Sequence, residues 1–295
     1  MNSIVSYPER GPFGKNSYRG NCSGKLIEDI IAQYNLRQLS DFMVGSGTTE
    51  DVVKAKGIEG SFADLNRGYD MMSMDIPERS ENIFWHPPYH DMVVYSGRQY
   101  SDSEVKEKYG FDPKVNDLSR CPSWEDFVQK MNYCMLKQFH SLENGGRMFV
   151  LMGDMKRKGK LHSMLCDIAK PGTLEQIIIK TQNNCVSSST AYRGSFLPIV
   201  HEYLMVVRKE NGLIVPVTYV QKKDFDIRDS KSAAWRDIII ELVRDGNTTL
   251  GQIYSQMEGR AKTLSNIHWK EKIRQVVQNT RYFRRVAGGT YALAS

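Results

Sequence analysis

The chain has 295 residues, of which 25% are charged and 40% hydrophobic, so it is long enough to bury a full core in one large domain plus a small one. It shows no signal-peptide pattern and no run of about 18 apolar residues, and its five cysteines are too widely spaced for a disulfide framework or a zinc site. We therefore expect a soluble, cytoplasmic protein with no metal and no membrane partner. The net charge of +6 weakly favours a polyanionic partner, and the sequence leaves the oligomeric state open.

The first predicted element is a polar loop that leads into an amphipathic helix from about Lys25 to Tyr34. Arg19, Asn21 and Ser23 lie in this loop, directly before the helix start. Free backbone N–H groups at a helix start can hold an anion, and Arg19 would add positive charge. A plain surface loop with a helix cap fits the same residues.

A strand, a glycine turn and a helix follow between residue 38 and Gly57. Gly45 and Gly47 allow a sharp turn and a close approach of the backbone to a ligand. The spacing is neither the dinucleotide fingerprint nor a phosphate loop. Asp41, at the strand end, would offer a carboxylate to a cationic or hydroxylated ligand, although a turn without a ligand remains open.

A second short strand, residues 60–63, ends at Asp64, about 20 residues after the glycine turn. An acid at this place suits hydrogen bonds to the two hydroxyls of a ribose, and a solvated loop acid is the alternative. Asp70 and Asp75 follow before the third strand.

The third strand, Asn82–Trp85, stops abruptly at His86, Pro87, Pro88 and Tyr89. Two prolines cannot donate to a sheet ladder, so they predict a rigid loop at the carboxyl end of a strand. Ligands of open α/β sheets bind at this edge. We therefore expect a doubly wound, Rossmann-like α/β sheet whose strand ends carry a glycine turn, an acid and a Pro-Pro-Tyr loop.

The segment from Asp41 to Thr49 resembles the D-P-F-x-G-S-G-T-T loop of the DNA amino-methyltransferases, and His86 to Tyr89 resembles their catalytic D/N/S-P-P-Y/F/W loop. The resemblance covers about residues 15–210 and implies S-adenosyl-L-methionine as the cofactor and DNA as the partner. It further implies an enzyme that methylates adenine N6 or cytosine N4. The implied cofactor contacts are Arg19, Asn21, Ser23, Asp41, Gly45, Ser46, Gly47, Thr48, Asp64 and Asp70, with Asp75 as a rival for the place of Asp70.

The resemblance implies that the residue before Pro-Pro accepts a hydrogen bond from the target amine, with a backbone carbonyl as the second acceptor. Tyr89 would stack on a base that has left the duplex. This chain departs from the family pattern with Phe42-Met43 in place of Pro-Phe and with His86 in place of Asp, Asn or Ser. A neutral imidazole can accept one hydrogen bond and a protonated one cannot, so activity should fall below pH about 6.5. Alternatively, His86 caps the loop and the carbonyl alone orients the amine.

Later segments complete the predicted sheet and its surroundings. Strands are expected at 147–153 and 201–208, and a helix capped by Ser123. Residues 95–120 show no clear periodicity and are expected to form a long insertion or lid at the edge of the pocket. The basic loop 156–160 and the Ser/Asn-rich loop Asn183–Arg193 could contact phosphates or simply be solvated. His140, His162 and His201 lack metal-ligand spacing.

The pattern changes near residue 220, which divides the chain into a domain of residues 1–220 and a smaller one of residues 221–295. Three helices (233–243, 250–257 and 266–278) and a hairpin with a Gly288-Gly289 turn have the order of a winged helix-turn-helix. The predicted DNA contacts are Lys270, Lys272 and Arg274 on the third helix and Arg284 and Arg285 on the wing. Protein pairing is the alternative use of such a module.

Together these features predict a site-specific DNA adenine-N6 methyltransferase. Cytosine N4 is the nearest rival, because the loop chemistry is the same for both amines. Methyltransferases of protein glutamine or of RNA bases also use a Pro-Pro-Tyr loop. A DNA-binding regulator that has lost turnover at His86 is the non-enzyme alternative.

Overall fold

The computed structural model describes residues 1–183, 197–210 and 213–294, and the chain divides into two compact units, Met1–Val220 and Gln221–Ser295. Most of the predicted loop Asn183–Arg193, including Cys185, lies outside the described residues. Within the described ranges, no helix combines the length and the apolar character needed to cross a membrane.

The first unit alternates helices with strands. Its helices are α1 (Gly24–Tyr34), α2 (Thr48–Lys56), α3 (Asp102–Tyr109), α4 (Trp124–Ser141) and α5 (Met164–Asp167). Its strands are β1 (Ile4–Ser6), β2 (Ser80–Trp85), β3 (Leu142–Met152), β4 (Asp154–Arg157), β5 (Lys160–Ser163), β6 (Lys170–Pro171), β7 (Thr173–Thr181), β8 (His201–Arg208) and β9 (Val217–Thr218).

The central sheet has the strand order β1-β7-β8-β3-β2. Two short extended segments continue it beyond β2: Ser40 pairs with Ile83, and Asp41 pairs with Phe62, both in parallel. Within the described part of this sheet, β8 alone runs opposite to the other strands. The first unit is therefore a mixed α/β domain built on a mostly parallel sheet.

The order of the strand connections creates a crevice between segment 38–41 and β2. From segment 38–41 the chain passes through α2 to segment 59–62 on one side, and then returns to β2 on the other side. The strand order reverses between 38–41 and β2, and open sheets bind ligands at the carboxyl ends of the strands beside such a reversal.

Two hydrophobic cores cover the two faces of the sheet. Helices α1 and α2 pack on one face, where Phe84 of β2 meets Phe149 of β3. Helix α4 packs on the other face, against Ile83 and Trp85 of β2 together with alternate residues of β3. Side chains of a strand alternate between faces, so a strand covered on both sides reads as the continuous apolar run seen here.

The segment 95–120, which has no clear hydrophobic periodicity, contains helix α3. Ser101 accepts a hydrogen bond from the backbone N–H of Glu104, and Gly110 ends the helix in the left-handed conformation. Val105 is the only residue of α3 that is buried, so the helix has no hydrophobic stripe that a periodicity search could find.

The predicted basic loop 156–160 is the turn of a hairpin. Strands β4 and β5 pair in antiparallel register, and Lys158 and Gly159, both with positive φ, form the connection. Arg157 forms an ion pair of 2.8 Å with Asp91, just after the Pro-Pro-Tyr loop.

The second unit has a separate core. Its elements are α6 (Trp235–Val243), α7 (Leu250–Met257), α8 (Ala261–Leu264), α9 (Trp269–Val277), β10 (Thr248–Thr249), β11 (Phe283–Ala287) and β12 (Thr290–Leu293). Ile238, Ile253, Ile273 and Phe283 meet in its centre, and β10 pairs with β12 beside the hairpin β11–β12. Its membership of the winged-helix class stays a prediction.

Candidate functional site

The glycine turn lies between segment 38–41 and α2. Gly45 and Gly47 have φ angles of +49° and +87°, values that favour glycine. A Cβ on Gly45 would lie 3.2 Å from the ring of Tyr18, so the turn passes this ring closely. Asp41 fixes the turn at both ends, because it accepts hydrogen bonds from the Met43 backbone (3.0 Å) and the Thr49 hydroxyl (2.6 Å).

Asp64 is bound to the same turn. It accepts hydrogen bonds from the backbone N–H groups of Gly45 (2.8 Å) and Asn66 (3.0 Å). Burial raises the pKa of the Asp41 carboxyl to about 7 and also raises the pKa of Asp64, in both cases against the opposing effect of these hydrogen bonds. Two buried acids with raised pKa values thus hold the glycine turn in place through hydrogen bonds.

The His-Pro-Pro-Tyr loop follows β2 and is held by a polar chain. The Tyr89 hydroxyl donates to Glu202 Oε1 at 2.7 Å and lies 3.1 Å from His86 Nε2. The ring of Tyr89 packs on Gly153, where an added Cβ would be 2.6 Å from it. Burial lowers the pKa of His86 to about 4, Glu202 opposes this shift, and Lys180 adds to it. The imidazole is therefore neutral at physiological pH, which moves the predicted loss of activity from near pH 6.5 to near pH 4.

The two loops lie side by side. The indole N–H of Trp85, directly before His86, donates to the sulfur of Met43 in the glycine loop at 3.1 Å. Both loops border one pocket. The two sequence patterns thus meet at the reversal point of the sheet.

Nine of the predicted site residues line this pocket: Asn21, Asp41, Gly45, Ser46, Thr48, Asp64, Asp70, His86 and Pro88. Five do not: Arg19, Ser23, Gly47, Pro87 and Tyr89.

The residues outside the lining have other contacts. Arg19 is exposed, and its backbone N–H donates to Gln99. Ser23 is buried, and its hydroxyl donates to the carbonyl of Arg10 at 3.0 Å. Gly47 is the N-cap of α2, and Tyr89 is committed to Glu202.

The structure distinguishes the two acids that compete for one role. Asp70 lines the pocket and accepts a hydrogen bond of 2.6 Å from Asn116. Asp75 is exposed and is not part of the lining.

One wall of the pocket comes from the insertion 95–120, which was expected at the pocket edge, although its individual residues were not predicted. Tyr95, Tyr100 and Asp117 line the pocket, and the rings of Tyr95 and Tyr18 are 5.6 Å apart. Asp117 accepts hydrogen bonds from both Ser96 and Ser119, which fixes the insertion internally. Two tyrosines in a polar segment were the available signal, but nothing in the local sequence links them to the glycine turn.

The predicted DNA-contact residues all lie in the second unit and are exposed. Lys270, Lys272 and Arg274 are on α9, whose opposite face buries Ile273 and Val277. Arg284 and Arg285 are consecutive on β11, so their side chains leave opposite faces of the hairpin. Both are exposed, and their contact with DNA stays a prediction.

Positive charge is concentrated in this unit. Residues 221–295 contain 14 of the 40 Lys and Arg residues but only 8 of the 34 Asp and Glu residues, so they carry the entire net charge of +6. Within the described ranges, no group of three His, Cys, Asp or Glu side chains is arranged to hold a metal ion.

Comparisons with known proteins give weak likenesses only. No family model matches the chain, and no curated protein sequence matches it. Among solved structures, TTHA0409 of Thermus thermophilus, provisionally assigned as a DNA modification methylase, matches with 12% identity and a TM-score of 0.27 over 64% of this chain and 56% of its own. TrmN of the same organism matches with 14% identity and a TM-score of 0.28 over 65% of this chain and 50% of its own.

A SAM-dependent methyltransferase of Archaeoglobus fulgidus matches with 8% identity and a TM-score of 0.29, over 65% of this chain and 96% of its own. The chain thus spans only about half the length of the first two structures. TM-scores below 0.5 do not establish a shared fold, so the function has to be inferred from the site itself.

Proposed function

We propose that this chain is an S-adenosyl-L-methionine-dependent methyltransferase that methylates the N6 amine of adenine in DNA. The observation that carries this proposal is the meeting of the glycine turn and the His-Pro-Pro-Tyr loop at one pocket, where the strand order of a mostly parallel sheet reverses. This is where a donor and an acceptor could lie next to each other.

The residues of the pocket suit S-adenosyl-L-methionine. Gly45 permits a close approach of the backbone, and Asp64 has carboxylate lone pairs left for hydroxyl groups. Asp41 would offer negative charge to the cationic end of the molecule, and the start of α2 would offer N–H groups to its carboxylate. Arg19 is not needed for this fit.

The reaction needs a donor and a nucleophile in line. When bound, S-adenosyl-L-methionine would supply an electrophilic methyl group. The amine nitrogen would form the new C–N bond while the C–S bond breaks and leaves its electron pair on sulfur, and the methylated amine would release one proton to water. His86, neutral and facing the pocket, would accept a hydrogen bond from the amine and orient its lone pair. The rigid Pro87-Pro88 backbone would hold this acceptor at a fixed distance from the glycine turn.

DNA as the substrate is supported by the charge distribution. A unit that carries the whole net charge of the chain, with exposed basic residues on one helix, suits a phosphate backbone. The exocyclic amines of adenine and cytosine require the same acceptors, so the N6 assignment is the finer part of the proposal.

The test uses three separate reactions, each with the full chain, the methyl-labelled donor and one acceptor: DNA, RNA or protein. Each product is then digested to find the labelled group. We expect the label in N6-methyladenine from DNA, and its loss with His86→Ala. Label in N4-methylcytosine would change the base, while label in RNA or protein alone would overturn the DNA assignment. If the chain fails to retain the donor in equilibrium dialysis, its assignment as a methyltransferase would be overturned.

A further inference from the structure

Lys180 and Glu202 form a buried ion pair below the catalytic loop, more than 90 residues from it in sequence. They are register partners on β7 and β8, their side chains are 11% and 8% exposed, and Lys180 Nζ lies 2.6 Å from Glu202 Oε2. The second carboxylate oxygen accepts the hydroxyl proton of Tyr89, and Tyr89 in turn contacts His86 Nε2. Four side chains thus form one hydrogen-bonded chain that ends at the pocket.

The position of each proton in this hydrogen-bonded chain of four side chains follows from the donors and acceptors available. Burial alone would raise the pKa of Glu202, but the charge of Lys180 and the hydrogen bonds from Lys180 and Tyr89 hold it below its usual value, so the carboxylate only accepts. The single hydroxyl proton of Tyr89 is donated to Glu202, which leaves the phenol oxygen as an acceptor toward His86. The proton between Tyr89 and His86 must therefore sit on Nε2.

A neutral imidazole has only one ring proton, so Nδ1 carries a lone pair. His86 lines the pocket, and none of the described residues forms a hydrogen bond with its Nδ1. Without the hydrogen bond from Nε2 to Tyr89, the ring could carry its proton on either nitrogen. A proton on Nδ1 would face the N–H groups of the target amine, so that neither group could accept a hydrogen bond from the other.

We propose that Glu202 and Lys180, acting through Tyr89, are positioning residues that keep the proton of His86 on Nε2 and leave Nδ1 as the acceptor for the target amine. The identity of that amine rests on the proposed function, whereas the tautomer does not. This arrangement explains how a histidine can stand where a fixed acceptor is required.

The decisive variant is Glu202→Gln, which keeps the shape of the side chain. Its amide oxygen would face the ammonium of Lys180, so its NH₂ group would donate to Tyr89, and the Tyr89 proton would turn toward His86 Nε2. We expect the ring proton to move to Nδ1, which swaps the two ring-nitrogen shifts of His86 in ¹⁵N-histidine NMR of the full chain. Loss of the acceptor should lower kcat about 100-fold, with the KM for the donor changed less than about threefold.

A second variant, Tyr89→Phe, leaves the ion pair intact and removes only the link. The His86 signals should then report a mixture of tautomers, with a smaller loss of kcat of about two- to tenfold. Because it keeps the buried charges paired, this variant decides the question if Glu202→Gln does not fold.

The matched control is Tyr203→Phe on β8, the strand that also carries Glu202. Tyr203 lies in a similar chain, with its hydroxyl 2.8 Å from His201 Nε2 and 3.2 Å from Asp154 Oδ2, but none of these three residues lines the pocket. The His86 shifts and kcat should stay at wild-type values. His86→Asn identifies the His86 signals among those of the six histidines.

Three results would overturn the inference: an Nδ1 proton in the wild type, an unchanged tautomer in both variants, or a swapped tautomer with undiminished kcat. The nitrogen shifts are measured without any methyl transfer. A wild-type chain that has the expected tautomer but methylates no nucleic acid would therefore overturn the proposed function and not the assignment of the ring proton.

Discussion

His86 occupies a place where a carboxylate or amide would be the simpler acceptor, and burial is what makes an imidazole usable there. Because burial lowers its pKa to about 4, with Lys180 assisting and Glu202 opposing, the ring stays neutral across the physiological range. We expect kcat at saturating donor to be flat between pH 5.5 and 8 and to fall only as pH approaches 4. A midpoint near pH 6.5 in a stopped-time assay would mean that the ring is solvated.

Asp41 should give donor binding a different pH dependence. Burial raises its pKa to about 7, so the carboxyl is protonated below that pH and charged above it. A cationic donor binds the charged form better, so its affinity should rise with pH from 6 to 8, by at most about tenfold per unit below pH 7. Calorimetric titration measures this, and Asp41→Asn should bind more weakly at pH 8 and show little slope. An equal slope in this variant would assign the titration to another group.

At the scale of elements, the parts that sequence could predict are those where one residue type fixes the backbone. Gly45, Gly47 and the Pro87-Pro88 pair have conformational consequences that do not depend on distant residues, so both loops were predictable. Tyr95 and Asp117 reach the pocket through tertiary packing of an insertion with no hydrophobic period. Glu202 was placed on a strand, but its role depends on which strand lies beside it, and spacing along the chain does not contain that information.

The end of β3 offers a prediction at this scale, because Gly153 gives the Tyr89 ring its place. A Cβ there would lie 2.6 Å from the ring, although the φ of Gly153 allows alanine. Gly153→Ala should displace Tyr89, destabilise the fold by about 1–3 kcal/mol and reduce kcat. Gly251→Ala in α7, where the nearest atom would be 3.9 Å away, should instead stabilise by about 0.5–1 kcal/mol. Thermal unfolding of both variants checks this, and equal shifts would show that the contact with Tyr89 is unimportant.

At the scale of the whole molecule, chemistry and charge are divided between the two units. The first unit contains the pocket and has no net charge, whereas residues 221–295 carry +6. Long-range attraction to a polyanion would therefore act mainly on the second unit, and the pocket would contribute selectivity for the target amine.

This division predicts how binding responds to salt. Lys270 and Arg274 are exposed on α9, so the double variant Lys270→Gln, Arg274→Gln should weaken DNA binding and reduce the slope of log K against log salt by about 2. The control, Arg236→Gln at the start of α6 with Arg244→Gln just after its end, removes the same charge from the same unit. Each of these arginines pairs with a neighbouring acid, as Arg274 does with Glu271. Fluorescence anisotropy of the full chain on one duplex from 50 to 300 mM salt measures both. Equal losses of DNA affinity in the two variants would mean that net charge, rather than a surface on α9, binds the DNA. Unchanged affinity in both variants would mean that the second unit does not bind DNA.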